Sequence, residues 1–137
     1  MIKVAGIWEL GWNTPIKEMD LWEMVTREFN VEQFYMCPVS GIFTPFVTER
    51  VNIQDVINEN PDYTVVWVDE HGSEDLIPFV HPENALYIFG KTNERPMASW
   101  GKPEDKVLKI TTPGNTALLW SHQVLSIVLY DRMIKSV

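Results

Sequence analysis

The sequence is short of cysteine, of basic charge and of long apolar runs, and each shortage excludes something. Its 137 residues hold a single cysteine, Cys37, so no disulfide can form within the chain and nothing calls for an oxidising compartment. No apolar run reaches the ~18 residues a membrane-spanning helix needs. The apolar start, Met1 to Trp8, is too short for a secretion signal. Together these predict a soluble, cytoplasmic protein. Eleven Lys+Arg against nineteen Asp+Glu leave a net charge of −8, a poor match to the basic footprint of a nucleic-acid binder. Two phosphate cradles are missing as well: no Gly-x-Gly-x-x-Gly follows the first apolar run, and no Gly-Lys-Ser/Thr occurs. Ser121 and Ser126 lack a Gly-x-Ser-x-Gly elbow, so a hydrolase triad has little support. With no repeat, low-complexity tract or linker, residues 1–137 read as one domain.

What is present is a core-forming pattern. Apolar residues make up 45% of the chain, with six Trp, six Phe and four Tyr, enough for a sizeable core. Residues 2–8 predict a strand. Asn13 or Thr14 can cap the helix that follows, with Pro15 in its first turn. Ile16, Met19, Trp22, Val25 and Phe29 recur at spacings of three and four, which leaves Lys17, Glu18, Asp20, Glu23 and Arg27 facing solvent. Gln33–Cys37 predicts a strand stopped by Pro38, and 38–50 predicts a loop. Asn52 caps a short helix that Asn60-Pro61 ends. Tyr63–Val68 is apolar on both faces, as a central parallel strand should be. Ala85–Phe89 and Val107–Ile110 predict two more strands. A helix uninterrupted by Gly or Pro runs over 116–134, apolar nearly all round, as expected of a helix that serves both the core and a subunit contact. Strands alternating with helices predict an α/β fold with a mainly parallel sheet. Ligands in such sheets sit beyond the carboxyl ends of the strands, so the turns at 9–15, 69–75, 90–102 and 111–116 matter most.

The reactive side chains taken singly are weak signals. Asp69, Glu70, His71, Glu74, Asp75, His81 and Glu83 are suitable ligands for a divalent ion, but their spacing matches no metal motif, and a hydrated acidic turn is the default. No metal is expected. His122, among apolar helix neighbours, reads as a hydrogen-bonded core or interface histidine. Cys37 has no base beside it and reads as an inert buried thiol. Charge is uneven. Residues 106–137 carry four positive charges against one negative, and the strip from Lys91 to Lys109 sets Lys91, Arg95, Lys102, Lys106 and Lys109 against Glu94, Glu104 and Asp105, a mixed-charge solvated surface by default that a polyanion could use.

The last third supplies a more specific pattern. A buried strand ends in Leu86-Tyr87-Ile88-Phe89-Gly90, a second ends in Leu108-Lys109-Ile110, and an apolar helix closes on Ser126-Ile127-Val128-Leu129-Tyr130-Asp131. This order resembles the SPOUT (α/β-knot) methyltransferase superfamily, and within it the small tRNA and rRNA 2′-O-ribose methyltransferases. Asn60-Pro61-Asp62 to Gly72 fits the family's third strand and its turn, so the resemblance runs along nearly the whole chain. It implies a C-terminal trefoil knot, an exception to the rule against threaded chains. It also implies S-adenosylmethionine held by the backbone of three loops, with RNA as substrate and a homodimer built through the first and last helices. Carried over by position, Gly90 would admit the cofactor because it has no Cβ. Trp67, Val68, Ile110, Leu119 and Leu125 would enclose the adenine and methionyl chain, or simply pack the core. Lys91 and Arg95 would meet RNA phosphates.

The sequence departs from this family where the chemistry is done. The Arg that family members place near the 2′-hydroxyl is Trp22 or Met24 here, and Arg27, one turn on, substitutes only if the helix is shifted. Two readings follow: an S-adenosylmethionine-dependent RNA methyltransferase with Arg27 as its catalytic candidate, or a dimeric α/β-knot binding module without methyl transfer.

Overall fold

Strand periodicity in this chain is read out by alternation between two cores. The computed structural model describes residues 1–7, 15–39, 41, 45–69, 72–90, 101–114, 119 and 121–136, with Pro15, Ile16 and Lys17 described in backbone only. Among the described residues seven strands are found: β1 (Ile2–Ile7), β2 (Gln33–Cys37), β3 (Val47–Glu49), β4 (Thr64–Val68), β5 (Glu74–Asp75), β6 (Ala85–Gly90) and β7 (Lys106–Lys109). They form one sheet in the order β3-β2-β1-β6-β4-β7-β5. Every pairing among them is parallel, as the unbroken apolar runs of β4 and β6 require.

Helices cover both faces. Val66, Val68, Tyr87, Phe89, Phe34 and Met36 point to one side, where α1 (Pro15–Glu28) and α3 (Ser121–Lys135) close the core with Met19, Trp22, Leu125, Val128 and Leu129. Their strand neighbours Val65, Trp67, Leu86, Ile88, Tyr35 and Cys37 point to the other side, under α2 (Ile53–Glu59). The Asn52 side chain caps α2 by accepting from the Asp55 amide at 3.0 Å, as the sequence predicts. Trp22 ties the larger core together: it stacks on Phe34 at 5.4 Å and meets Phe89 edge-on at 5.8 Å.

Four expectations need correcting. The loop expected over 38–50 contains β3, an edge strand three residues long and too brief to show a period. The turn at 69–75 contains β5, whose two residues pair with Leu108 and Lys109. Glu18, expected to face solvent, is buried against α3. Lastly, α3, whose all-round apolar character predicts burial on most sides, buries one stripe (Leu125, Val128, Leu129), while Ile127, Tyr130, Met133 and Ile134 stay exposed on the other side. Leu119 precedes the helix in a bend; 115–118 and 120 lie outside the described residues, as do the expected caps Asn13 and Thr14. No helix among the described residues is long and apolar enough to cross a membrane.

Candidate functional site

The carboxyl ends of three neighbouring strands, β6, β4 and β7, come together at one edge of the sheet. Gly90 closes β6, level with Ile7 of β1. Val68 closes β4, and the chain then crosses the backbone of β7. The Asp69 amide donates to the Leu108 carbonyl at 2.9 Å, and the Gly72 amide donates back to Asp69 at 3.0 Å. Gly72 lies so close that a Cβ would stand 2.6 Å from the Leu108 carbonyl carbon and 2.7 Å from the Lys109 nitrogen. Only glycine fits this crossing. A second tie joins the segment before β7 to β4. One Asp105 carboxylate oxygen accepts from the Trp67 indole at 3.0 Å and from the Lys102 amide at 2.9 Å.

The residues carried over from sequence distribute unevenly around this edge. Gly90 and Ile110 lie there half-buried, and Leu119 lies exposed. Val68 is buried on the α1/α3 face, whereas Trp67 points to the α2 face and is engaged by Asp105. Strand alternation therefore sends these two side chains to opposite sides of the sheet. Leu125 is fully buried in the core between α3 and the sheet.

Arg27 sits elsewhere. It occupies the last turn of α1, bonded to Glu23 at 3.0 Å and lying over the Phe46 ring at 4.8 Å. The chain leaving it reaches the start of β1, where the Glu32 amide donates to Ile2 at 2.8 Å. Ile2 and Gly90 stand at opposite ends of β1, five residues or about 17 Å apart. The structure thus does not bring Arg27 and Gly90 together. Lys91 and Arg95 lie outside the described residues, and Lys109 approaches Asp75 at 4.0 Å. Of the acidic turn offered as a metal site, Glu70 and His71 are outside the described residues. Asp75 accepts from Thr111 at 2.5 Å, and His81 turns away to α3.

One pair at this edge escaped the sequence. Glu18, in the first turn of α1, and His122, in the first turn of α3, approach to 3.9 Å between Oε1 and Nδ1, both largely buried. Burial pushes the His122 imidazole below its usual pKa. The positive ends of the two helices favour a carboxylate at Glu18 and disfavour an imidazolium at His122. One signal was legible: Glu18 is four residues before buried Trp22, on the same helical face. Its partner, 104 positions away, was not.

No protein-family model matches this sequence, and no curated protein is similar to it at a significant level. Solved structures are. A candidate RNA methyltransferase from Bacillus anthracis superposes with a TM-score of 0.74 at 14% identity, over 98% of this chain and 94% of that one. A protein solved to explain 2-OH methylation of C/U34 on tRNA gives 0.69 at 11% identity, over 99% and 98%. The SpoU methyltransferase AviRb of Streptomyces viridochromogenes, solved with AdoMet, gives 0.75 at 14%, over 98% of this chain but 57% of its own length. At such identities the likeness shows the fold alone: this chain folds as the SpoU- and TrmH-type methyltransferase structures do.

Proposed function

We propose that this protein is an S-adenosylmethionine-dependent RNA methyltransferase acting on ribose 2′-hydroxyls. The observation that carries the reading is the convergence of the β6, β4 and β7 carboxyl ends on a chain whose fold is shared end to end with a tRNA-modifying protein. The family resemblance implies a cofactor held mainly through backbone groups. The residues here suit that in kind: Gly90 has no side chain to obstruct approach, Gly72 packs one turn directly onto another strand's backbone, and Ile110 and Leu119 offer apolar surface. When bound, the cofactor supplies an electrophilic methyl group. Val68 and Leu125 support the pocket from the core, and Trp67 supports it from behind by anchoring the 101–105 segment. Lys91 and Arg95 would meet phosphate on the loop after β6. The reading includes a C-terminal trefoil knot, whose crossing segments 91–100 and 115–118 lie outside the described residues.

A homodimer belongs to the same proposal. α3 leaves Ile127, Tyr130 and Ile134 open beside Phe29 and Leu76, around a shallow apolar groove of about 490 Å³. Leu21 and Met24 of α1 are exposed too. A second copy would cover these faces. Such a cytoplasmic dimer is also what the alternative reading, a binding module without catalysis, would use. That alternative is favoured by Trp22 standing in the core at one candidate position for the family's arginine, and by the remote placement of Arg27.

Calorimetric titration with S-adenosylmethionine and S-adenosylhomocysteine tests the reading. Micromolar binding is expected, and Gly90→Val should abolish it by placing a branched side chain where the cofactor must approach the chain backbone. Absence of heat at millimolar cofactor would remove the enzyme.

A further inference from the structure

The edge offered to a cofactor ends, on its outer side, in β7 and the residues that follow it. Away from β4, the sheet neighbour of β7 is the two-residue strand β5. Backbone pairing between them sets Glu74 against Leu108 and Asp75 against Lys109, and stops there. The side chain of Asp75 carries the tie further: its carboxylate accepts from the Thr111 hydroxyl at 2.5 Å. Asp75 thus pairs with Lys109 through its backbone and holds Thr111 through its side chain, and Ile110 is bracketed between the two contacts. The start of β7 is fixed independently, by Asp105 on the Trp67 indole at 3.0 Å. Its middle is fixed by the Asp69 amide on the Leu108 carbonyl and by Gly72 against Leu108 and Lys109. Among the described residues, the Asp75–Thr111 bond is the side-chain hydrogen bond that holds the chain beyond Lys109.

This bond suits positioning better than stability. A hydroxyl that close to a carboxylate makes the strong, charge-assisted kind of hydrogen bond. Yet Thr111 is exposed and Asp75 half-exposed, so solvent competes for both and the bond adds little to global folding. Lys109, 4.0 Å from the other carboxylate oxygen, adds only a loose, screened charge. What a short directional bond does provide is a fixed place for the Thr111 backbone relative to β5. A ligand gripped by backbone groups binds more tightly when those groups are already in place, because binding then has no ordering cost to meet. We propose that Asp75 is a positioning residue of this site: by holding the Thr111 hydroxyl it sets the Ile110–Thr111 backbone against which S-adenosylmethionine binds. The inference rests on the methyltransferase reading. Asp75 touches neither the cofactor nor the methyl acceptor in this role and acts through Thr111 alone. Losing the bond leaves β7 seated by Asp105, Asp69 and Gly72, and loosens only its last step. Cofactor affinity therefore falls while the fold and the rate of the bound complex are kept.

The test uses the whole protein: calorimetric titration with S-adenosylhomocysteine, melting curves, and methyl transfer from labelled S-adenosylmethionine to bulk tRNA. Asp75→Ala and Thr111→Val should each weaken S-adenosylhomocysteine binding by roughly three- to tenfold, the scale of one hydrogen bond. Their melting curves should coincide with that of wild type. In methyl transfer the KM for S-adenosylmethionine should rise while kcat is retained. The double variant should bind no more weakly than either single one, because both substitutions remove the same bond. Thr111→Ser, which keeps the hydroxyl, should restore the affinity that Thr111→Val loses. Wild-type affinity in Asp75→Ala would overturn the role, as would additive losses in the double variant or a Thr111→Ser that restores nothing. A melting point that falls together with affinity would make Asp75 a residue of the fold and would equally overturn it. All of these leave the methyltransferase reading standing as long as wild type binds. If wild type takes up neither S-adenosylhomocysteine nor methyl label, that reading itself falls and takes this role with it.

Discussion

His81 shows how far a residue's neighbours can lie from it in sequence. Its side chain is nearly buried, and its ring completes a relay of hydrogen bonds. Arg132 donates to the Tyr87 hydroxyl at 3.0 Å, the hydroxyl lies 2.7 Å from His81 Nδ1, and His81 Nε2 lies 2.7 Å from Asp131. Lys135 reaches the same Asp131 oxygen at 2.8 Å. The order of donors is self-consistent for a neutral ring: Tyr87 gives its proton to Nδ1, and Nε2–H donates to the carboxylate. Burial is the largest influence on His81 and pushes its pKa down, against the pull of Asp131. An unfolded chain binds a proton there near pH 6.5, whereas the folded chain resists it. Stability from this site is therefore present above about 6.5 and lost as pH falls through the lower folded value. His81→Leu should cost about 1–3 kcal/mol at pH 7.5 by unpairing buried groups. Urea unfolding repeated at pH 5.5 should show a smaller acid loss for the variant than for wild type, and equal losses would refute the assignment. Cys37, by contrast, matches its sequence reading: burial, with Asp55 nearby, lifts the thiol to about 12.

At the scale of elements, length governed what could be foreseen. β4 and β6, five and six residues long and apolar almost throughout, were plain, and so was α2 between Asn52 and Asn60. β3 and β5 exist because longer neighbours offer them an edge, β2 in one case and β7 in the other. A two- or three-residue strand has no period of its own to read. Glu18 was misplaced for a related reason: a helical face is judged from its apolar members, and a carboxylate on that face is read as solvent-facing until a partner such as His122 is known. The crossing of Gly72 over β7 is another element-level contact that pattern does not reveal. Gly72→Ala would force a Cβ to within 2.6 Å of backbone that cannot swing aside. A loss of about 1–3 kcal/mol is expected, with a melting point lower by several degrees. Because β7 carries the edge that ends in Ile110, cofactor affinity should fall as well. A melting curve that coincides with wild type would show that the turn relaxes freely.

For the molecule as a whole, the open question of the last helix was how much of its apolar surface one chain could bury. One chain buries the stripe of Leu125, Val128 and Leu129; the stripe of Ile127, Tyr130, Met133 and Ile134 waits for something else. If that something is a second copy, sedimentation velocity should report a dimer. Placing two carboxylates on the stripe, as in Tyr130→Asp with Ile134→Asp, should give a folded monomer. A dimer that survives the double substitution would put the interface on another face.

Parallel strands and their flanking helices were legible from periodicity and turn chemistry, because those signals are local and repeat every two or 3.6 residues. Gly90 and Ile110 were offered only by the family resemblance, which carries residues over by their place at strand ends. Which side chains meet in space was another matter. Glu18 with His122, Trp67 with Asp105 and His81 with Asp131 are contacts made across the sheet's crossovers, between segments that share no local pattern. Arg27 was a reasonable choice along the chain and an unreachable one in space, since α1 runs its full length away from Gly90 before Arg27 appears. Chain direction relative to the sheet arises only once the segments pack, and it is what separates a residue near a motif from a residue near a site.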